Sequence, residues 1–208
     1  SNLKSTLDSK AVIRIGLKIP GLKKVLQKAV KRKIGMVNCK YAITGAAPIN
    51  PDILRLFHHI GVPLYEGYGM TETTAGASIN YKGNMKIGSV GKTLPGGTEL
   101  KTDTDGEIMF RGRHVMKGYY NNPTATAEVM DGDWLRSGDI GKIDDEGFVT
   151  ITGRKKELYV SSGGKNIAPL VIEETMKAIP LVSQCFLVGD ARKFCSALLT
   201  LDVSAILR

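Results

Sequence analysis

Cysteine and histidine are scarce in this chain. Its 208 residues include three of each, and no Cys-x-x-Cys pair is present. Zinc sites and disulfide frameworks both need such residues clustered at short spacings. The sequence therefore argues against both kinds of site, and we expect Cys39, Cys185 and Cys195 to be buried free thiols.

Long apolar runs are also missing. No run approaches the roughly 20 residues that cross a bilayer as a helix, and Arg14 and Lys18 interrupt the only apolar stretch near the N-terminus. A secretory signal needs an unbroken apolar segment there. A hydrophobic fraction of 42% and a charged fraction of 24% are typical of globular proteins. We therefore expect a cytoplasmic chain that forms one large or two small domains.

Acidic residues are nearly absent from the first 40 positions. Residues 1–40 hold eleven Lys and Arg against one Asp, a net +10, whereas residues 41–208 hold eighteen against nineteen acids, a net −1. Apolar residues at helical spacing predict a basic amphipathic helix over residues 18–33. Three interpretations remain: peripheral contact with an anionic membrane, nucleic-acid binding, and a solvated face on a larger domain. Residues 1–40 contain no aromatics to stack on bases, which makes nucleic acid unlikely.

A glycine-rich segment at residues 65–73 reads Tyr-Glu-Gly-Tyr-Gly-Met-Thr-Glu-Thr. We expect residues 60–64 to form the strand that leads into it. Gly67 and Gly69 would let the backbone approach a ligand closely, and Tyr68 offers a face for a base. Thr71 could donate to a phosphate oxygen, and Glu72 is a hard ligand suited to Mg²⁺. A glycine-rich loop with an incidental acid is the alternative, since a match of nine residues is weak.

Asp139 ends a second polar segment, Trp-Leu-Arg-Ser-Gly-Asp at residues 134–139. A carboxylate at a strand edge could accept hydrogen bonds from both hydroxyls of a ribose. A turn or N-cap aspartate is the alternative.

Turn signals and periodicity predict the order of the elements. Residues 39–44 indicate a buried strand, and Asn50-Pro51 indicates a helix start with Asn50 as its N-cap. From 87 to 152, short strands alternate with Gly and Asp turns, including an Asp105-Gly106 hairpin turn, and one helix opens near Asn122-Pro123. The remaining residues predict a βαββ unit: strands at 158–160, 182–188 and 196–201, and a helix at 169–178.

Five segments resemble, in order, the motifs of the AMP-forming adenylating superfamily, which includes acyl-CoA synthetases, luciferases and peptide-synthetase adenylation domains. These segments are residues 44–48, 65–73, 106–112, 134–139 and 153–158. The closest resemblance is to the bubblegum-type long-chain fatty acyl-CoA synthetases. It rests on residues 153–158, 163–166, 189–194 and 198–201.

This resemblance implies an α/β fold with α+β character in three parts. Residues 1–86 would end the large AMP-binding domain, 87–152 would form its β-rich subdomain, and 153–208 would begin a small mobile C-terminal domain. The resemblance also implies a domain hinge at Gly153.

The resemblance assigns roles to individual residues. Tyr68 would stack on adenine, Asp139 and Arg154 would bind the ribose, Glu72 would hold Mg²⁺, and Lys156 would approach the acyl-adenylate. The implied catalytic residues are Thr71, Glu72 and Lys156. The implied binding residues for ATP, AMP or coenzyme A are Gly45, Ala46, Ala47, Glu66, Gly67, Tyr68, Gly69, Thr71, Asp139, Arg154, Ser162, Gly163 and Gly164.

The implied enzyme is a long-chain fatty acid–CoA ligase that forms acyl-AMP from ATP and transfers the acyl group to coenzyme A. The 208 residues contain neither the family's phosphate loop, which ends in Pro-Lys-Gly, nor its C-terminal catalytic lysine. We therefore expect this stretch to be an inactive part of such an enzyme. An acyl-AMP ligase that loads a carrier protein is the alternative, although Gly163-Gly164 favours coenzyme A. A basic module that binds nucleic acid or a membrane is the alternative of another class.

Overall fold

The computed structural model describes residues 20–160, 164, 166–190 and 192–207. The elements of the first part are helix α1 (Pro20–Lys33), strand β1 (Ala42–Thr44), helix α2 (Pro51–His59), strand β2 (Leu64–Tyr68), a 3₁₀ turn (Thr71–Thr73), and strands β3 (Ser78–Ile79) and β4 (Lys92–Thr93). The four strands form one sheet in the order β1-β2-β3-β4. Strands β1 and β2 are parallel, with Thr44 opposite Glu66.

The two predicted helices of this part are present. Helix α1 covers the described part of the predicted basic helix, whose positions 18 and 19 lie outside the described residues. Helix α2 begins as predicted, because the Asn50 side chain accepts a hydrogen bond from the Asp52 amide. Ile60 and Val62 are buried just after α2, and Val30 of α1 packs against them. This cluster holds both helices against the sheet.

A five-stranded antiparallel sheet follows. Its elements are β5 (Glu99–Thr102), β6 (Glu107–Arg111), helix α3 (Pro123–Val129), β7 (Met130–Asp131), β8 (Trp134–Ile143) and β9 (Val149–Arg154). The strand order is β5-β6-β8-β7, with β9 paired to β8. The predicted Asp105-Gly106 turn joins β5 to β6, and Gly106 has a φ of +84°. Ile108, Phe110, Leu135 and Val149 are fully buried together with Ala77 of the preceding part.

The last part contains a 3₁₀ turn (Lys155–Glu157), strands β10 (Tyr159–Val160) and β11 (Asn166–Ile167), helix α4 (Pro169–Lys177), strands β12 (Val182–Val188) and β13 (Ser196–Leu201), and helix α5 (Val203–Ile206). Strands β12 and β13 pair antiparallel and coincide with the predicted ranges. Helix α4 ends one residue before the predicted end. The mixed α/β fold class is confirmed.

Two predicted strands differ from the observed ones. Residues 39–44 contain only the three-residue β1, and Ile43 is 67% exposed because β1 lies at the edge of its sheet. The strand predicted at 60–64 instead starts at Leu64 and continues to Tyr68. Gly61 has a φ of +79° and its amide bonds to the His58 carbonyl, so residues 60–61 form a turn.

Three smaller expectations also change. The three cysteines are free, but only Cys185 is buried. Asp139 lies within β8 rather than at a strand end. Gly153 lies within β9, paired with Ile140.

No helix among the described residues combines the length and the apolar character that a membrane span requires.

Candidate functional site

The carboxyl ends of β1 and β2 bring two of the predicted segments together. Because the strands are parallel, residues 45–47 lie beside residues 67–69 at one edge of the sheet. A Cβ at Gly45 would stand 3.0 Å from the Gly67 carbonyl oxygen, so glycine permits this approach. Ala46 has a φ of +65°, a left-handed conformation that alanine rarely adopts. Ligands of open α/β sheets bind at such strand ends.

The turn after β2 presents Thr71 and Glu72. A Cβ at Gly69 would stand 2.2 Å from the Ala75 carbonyl oxygen, so the chain can fold back only with glycine at this position. The Thr73 hydroxyl accepts from the Met70 amide and closes the turn. Thr71 is left exposed, and the Glu72 carboxylate accepts a hydrogen bond of 2.7 Å from the Tyr119 hydroxyl.

The contact between Tyr68 and Asp139 joins two segments that are far apart in sequence. The Tyr68 hydroxyl donates to Asp139 Oδ2 at 2.6 Å. Burial, followed by this hydrogen bond to a carboxylate, raises the pKa of Tyr68 well above its usual range. Tyr68 therefore stays a protonated donor, and its ring lies 5.6 Å from that of Phe110.

Arg154 completes this group from the neighbouring strand. The pairing of β8 with β9 places Arg154 opposite Asp139, and its Nε lies 3.5 Å from Asp139 Oδ1. The structure thus brings together Tyr68, Asp139 and Arg154, the three residues for which the resemblance implies base stacking and ribose binding.

A cleft of about 630 Å³ opens beside this group. Glu72, Arg154 and Lys156 line it together with Tyr119 and Ser137. One predicted carboxylate, Glu72, and two predicted cations, Arg154 and Lys156, therefore face one space. A polyphosphate chain beside a carboxylate-bound cation matches this mixture of charges.

Some predicted residues lie apart from the cleft or outside the described residues. The Glu66 side chain is buried and accepts from the Ile49 amide at 3.5 Å, and burial raises the pKa of this carboxyl. The cleft lining also does not include the predicted residues Gly45, Ala46, Ala47, Gly67, Tyr68, Gly69, Thr71, Asp139 and Gly164. Ser162 and Gly163 lie outside the described residues. Among the described residues, no three His, Cys, Asp or Glu side chains cluster as a metal site.

Two residues of the site were missed from the sequence. Tyr119 carries no motif signal, and only the fold brings it to Glu72. Glu107 belongs to a recognised segment, but its contacts with the Gly138 amide and with Lys155 needed the structure. Spacing in the sequence could not have revealed the contact between Tyr119 and Glu72 or the two contacts of Glu107.

Comparison with known proteins gives one family match. The AMP-binding enzyme family matches residues 14–120. This range includes α1, the four-stranded sheet and the glycine-rich segment after β2.

Curated relatives and solved structures agree with that match. The chain is 42% identical over 193 residues to the long-chain-fatty-acid–CoA ligase FadD15 of Mycobacterium tuberculosis, covering 91% of this chain and 32% of that protein. It is 44% identical over 184 residues to the long-chain-fatty-acid–CoA ligase ACSBG2 of Xenopus laevis, covering 86% and 25%. The O-succinylbenzoate coenzyme A synthetase MenE of Bacillus subtilis, in complex with ATP and magnesium ion, is 32% identical with a TM-score of 0.71, covering 78% and 36%. The chain thus spans about a third or less of these relatives' lengths.

Proposed function

Because the chain belongs to the AMP-binding enzyme family, we propose that it forms part of a long-chain fatty acid–CoA ligase. Such an enzyme converts a fatty carboxylate and ATP to acyl-AMP and pyrophosphate, then transfers the acyl group to coenzyme A. The observation that carries the proposal is the placement of Asp139 between the Tyr68 hydroxyl and Arg154, beside the cleft. The choice of a long-chain fatty acid as substrate rests on the names of the relatives FadD15 and ACSBG2.

Asp139 is the proposed ribose acceptor. A carboxylate has about four lone-pair sites, and here the Tyr68 hydroxyl takes one on Oδ2. The remaining sites can accept from the two ribose hydroxyls, while Arg154 neutralises the charge. The half-buried Tyr68 ring packs on Phe110 and is held in place for an adenine to stack on it.

Glu72 is the proposed magnesium ligand. Mg²⁺ commonly binds through one or two protein carboxylates together with substrate phosphates, and one carboxylate oriented by Tyr119 at the cleft fits that mode. The ion would neutralise phosphate charge during the transfer. Thr71 is exposed at the start of the same turn, where its hydroxyl can donate to a phosphate oxygen.

Lys156 and Arg154 are the proposed cations of the reacting centre. Attack of the fatty carboxylate on the α-phosphorus develops negative charge on the phosphate oxygens, and fixed cations stabilise that charge most in a water-poor site. Both residues line the cleft together with Glu72. Coenzyme A is the proposed acceptor of the acyl group, through the loop that contains Gly164. Its thiol attacks the acyl carbonyl and AMP leaves.

Helix α1 supports a further proposal, that the protein is cytoplasmic and makes peripheral contact with an anionic membrane. Lys24, Lys28 and Arg32 are exposed at intervals of four residues and therefore form one stripe. Val25 beside them is 65% exposed. Co-sedimentation with phosphatidylserine vesicles should fall when the three cations are replaced by Gln. Unchanged binding would leave α1 as a solvated helix.

The decisive experiment uses the full-length gene product. We expect fatty-acid-dependent exchange of pyrophosphate into ATP, followed by acyl-CoA formation when coenzyme A is added. Asp139→Ala should raise the KM for ATP about tenfold or more, because a charged acceptor is lost, while the KM for fatty acid stays within about twofold. Asp145→Ala, at an exposed turn aspartate, is the matched control.

Three outcomes would contradict parts of the proposal. Equal effects of Asp139→Ala on both substrates would mean that Asp139 has only a structural role in β8. Acyl transfer to a pantetheinylated carrier protein but not to coenzyme A would identify an acyl-AMP ligase instead. Absence of fatty-acid-dependent exchange would reject the fatty substrate.

A further inference from the structure

Strand β8 bulges where it approaches the site. Along β6 the pairing steps from Glu107 to Met109, but along β8 it steps from Ile140 to Arg136. Residues 137–139 are therefore displaced from the regular ladder, and Gly138 has a φ of +75°. Bulges beside active sites commonly redirect a side chain. Here the bulge ends at Asp139, whose carboxylate meets Tyr68.

Side chains bind the backbone N–H groups of this bulge. Ser137 Oγ accepts from the Asp139 amide at 3.0 Å, and Glu107 Oε1 accepts from the Gly138 amide at 2.9 Å. The conformation that aims Asp139 therefore depends on two side-chain acceptors. Only the Glu107 acceptor carries a charge.

The second oxygen of Glu107 is bound by two cations. Oε2 accepts from Lys155 Nζ at 2.9 Å and from Arg136 Nη1 at 3.2 Å. The Glu107 side chain is only 5% exposed. A buried carboxylate with both oxygens satisfied is held in this arrangement, because rotation would deprive the buried Glu107 charge and the Gly138 amide of these partners.

Two partners of Glu107 are sequence neighbours of the proposed ribose-binding residues. Gly138 directly precedes Asp139 in β8, and Lys155 directly follows Arg154 of β9. Asp139 and Arg154 are themselves partners across the two strands. A single buried carboxylate thus holds the neighbours of both members of the proposed ribose-binding pair.

We propose that Glu107 is a positioning residue that sets the spacing of Asp139 and Arg154 and so determines selection for ribonucleotides over deoxyribonucleotides. This inference rests on the proposed function, because it takes Asp139 as the ribose acceptor. A site that bonds a hydroxyl discriminates against the analogue that lacks it only while its acceptor is in place. Displacing Asp139 should therefore weaken binding of the ribonucleotide more than that of the deoxyribonucleotide.

The test variant is Glu107→Gln, which keeps the side-chain volume. Its amide NH₂ must face either the Gly138 amide or the cations, so the network cannot form as in the wild type. Asp103→Asn is the matched control, because Asp103 also bonds Arg136, at 2.7 Å. Asp103 shows no bond to Gly138 or Lys155 among the described residues. Lys155→Gln is a second test variant that removes the link towards Arg154, together with the ion pair between Lys155 and Asp105.

The measurement is calorimetric titration of the full-length gene product with AMP and with 2′-deoxy-AMP, without fatty acid. The wild type should bind AMP about tenfold more tightly, the equivalent of one hydrogen bond to a charged acceptor. Glu107→Gln should reduce this preference to about twofold or less, and Lys155→Gln should reduce it partway. Asp103→Asn should preserve it. If circular dichroism shows that Glu107→Gln does not fold, the titration of Lys155→Gln tests the proposal instead.

Three outcomes overturn the proposal. The first is a Glu107→Gln protein that keeps the wild-type preference, whether or not its affinity for both nucleotides falls. The second is a folded Lys155→Gln protein with the wild-type preference, and the third is a wild type without any preference. A wild type that prefers AMP but forms no acyl-CoA overturns only the fatty-acid ligase function, so the two failures are distinguishable.

Discussion

Two tyrosine hydroxyls orient two carboxylates of the candidate site. One is Asp139, the proposed ribose acceptor, and the other is Glu72, the proposed magnesium ligand. Tyr68 donates to Asp139 at 2.6 Å, and Tyr119 donates to Glu72 at 2.7 Å. Burial in the first case, and the hydrogen bond to the carboxylate in the second, raise the pKa of the tyrosine. Both tyrosines therefore stay protonated near neutral pH. Each carboxylate keeps an oriented donor on one side and open lone pairs on the other.

The roles of the Tyr68 ring and hydroxyl can be separated by two substitutions. Tyr68→Phe keeps the ring and should weaken AMP binding only about threefold, because the lost hydrogen bond orients Asp139 and is not made to the nucleotide. Tyr68→Leu also removes the stacking face and should cost about tenfold more, because base–aromatic stacking contributes roughly 1–3 kcal/mol. Calorimetry on the full-length gene product measures both. Equal losses in the two variants would argue against stacking.

Glu66 is predicted to make stability depend on pH. Burial raises its pKa above the ordinary 4.5, so the fold favours the neutral carboxyl. Stability from this preference is fully present below pH 4.5 and is lost as pH rises through the raised folded pKa. Glu66→Gln should therefore increase the free energy of unfolding at pH 7 and change it little at pH 4.

Urea unfolding at the two pH values measures the Glu66 effect. Glu128→Gln, at an exposed carboxylate of α3, is the control for the loss of a charge. A Glu66→Gln protein less stable than the wild type at pH 7 would show that the ionised carboxylate is stabilising.

At the scale of elements, β9 connects the β-rich sheet to the last part of the chain. It continues through Gly153 to Arg154, and the 3₁₀ turn of residues 155–157 follows at once. Gly153 is buried in extended conformation and packs against the start of α4. A close contact explains the glycine there, and the proposed hinge at this position stays a prediction.

The packing role of Gly153 can be tested with a double-mutant cycle. A Cβ at residue 153 would stand 3.0 Å from Ala168 Cβ and 3.1 Å from Leu158 Cδ2. Gly153→Ala should therefore destabilise the protein by about 1–3 kcal/mol. Adding Ala168→Gly should restore part of that loss, because glycine removes the closest atom and is well tolerated at an N-cap.

Urea unfolding of the two single variants and the double variant gives the coupling energy. Purely additive effects would mean that the contact with Ala168 does not explain the glycine. A double variant that regains stability but not acyl transfer to coenzyme A would support the hinge.

At the scale of the whole molecule, the predicted first two parts share contacts across their boundary. The amide of Leu94 bonds to the carbonyl of Ala77, and Ala77 is buried among residues of the five-stranded sheet. Strand β4, which follows the predicted boundary at 86/87, pairs with β3 of the first sheet. The proposed nucleotide site lies across this junction, since Tyr68 and Asp139 come from opposite sides of it.

The 208-residue chain by itself is predicted to release no pyrophosphate from ATP, Mg²⁺ and long-chain fatty acid. The sequence contains neither a phosphate loop nor the family's C-terminal lysine. Without these groups, the negative charge that develops at the α-phosphorus during attack lacks the residues that chiefly stabilise it. A coupled pyrophosphate assay, with the full-length gene product as positive control, measures this. Turnover of the 208-residue chain at about 1 s⁻¹ or more, an ordinary enzymatic rate, would contradict the prediction.

The sequence by itself determined the family, the fold class and most elements of this protein. Local signals were sufficient for the Asn50 cap, the Asp105-Gly106 turn and the two strands of the last hairpin. These features depend on interactions between residues close in sequence, which spacing reveals. Strands were misplaced at 39–44 and 60–64, where edge position and a glycine turn overrode the apolar pattern.

Only the tertiary structure decided how the site is held together. The partners of Asp139 and Glu72 are Tyr68 and Tyr119, and Glu107 joins the Gly138 amide to Lys155. Each contact links residues from different strands or loops, so it depends on the register of β6, β8 and β9 and on the bulge in β8. Register and bulges arise from packing and hydrogen bonding between distant segments. No local pattern in the sequence encodes such an arrangement.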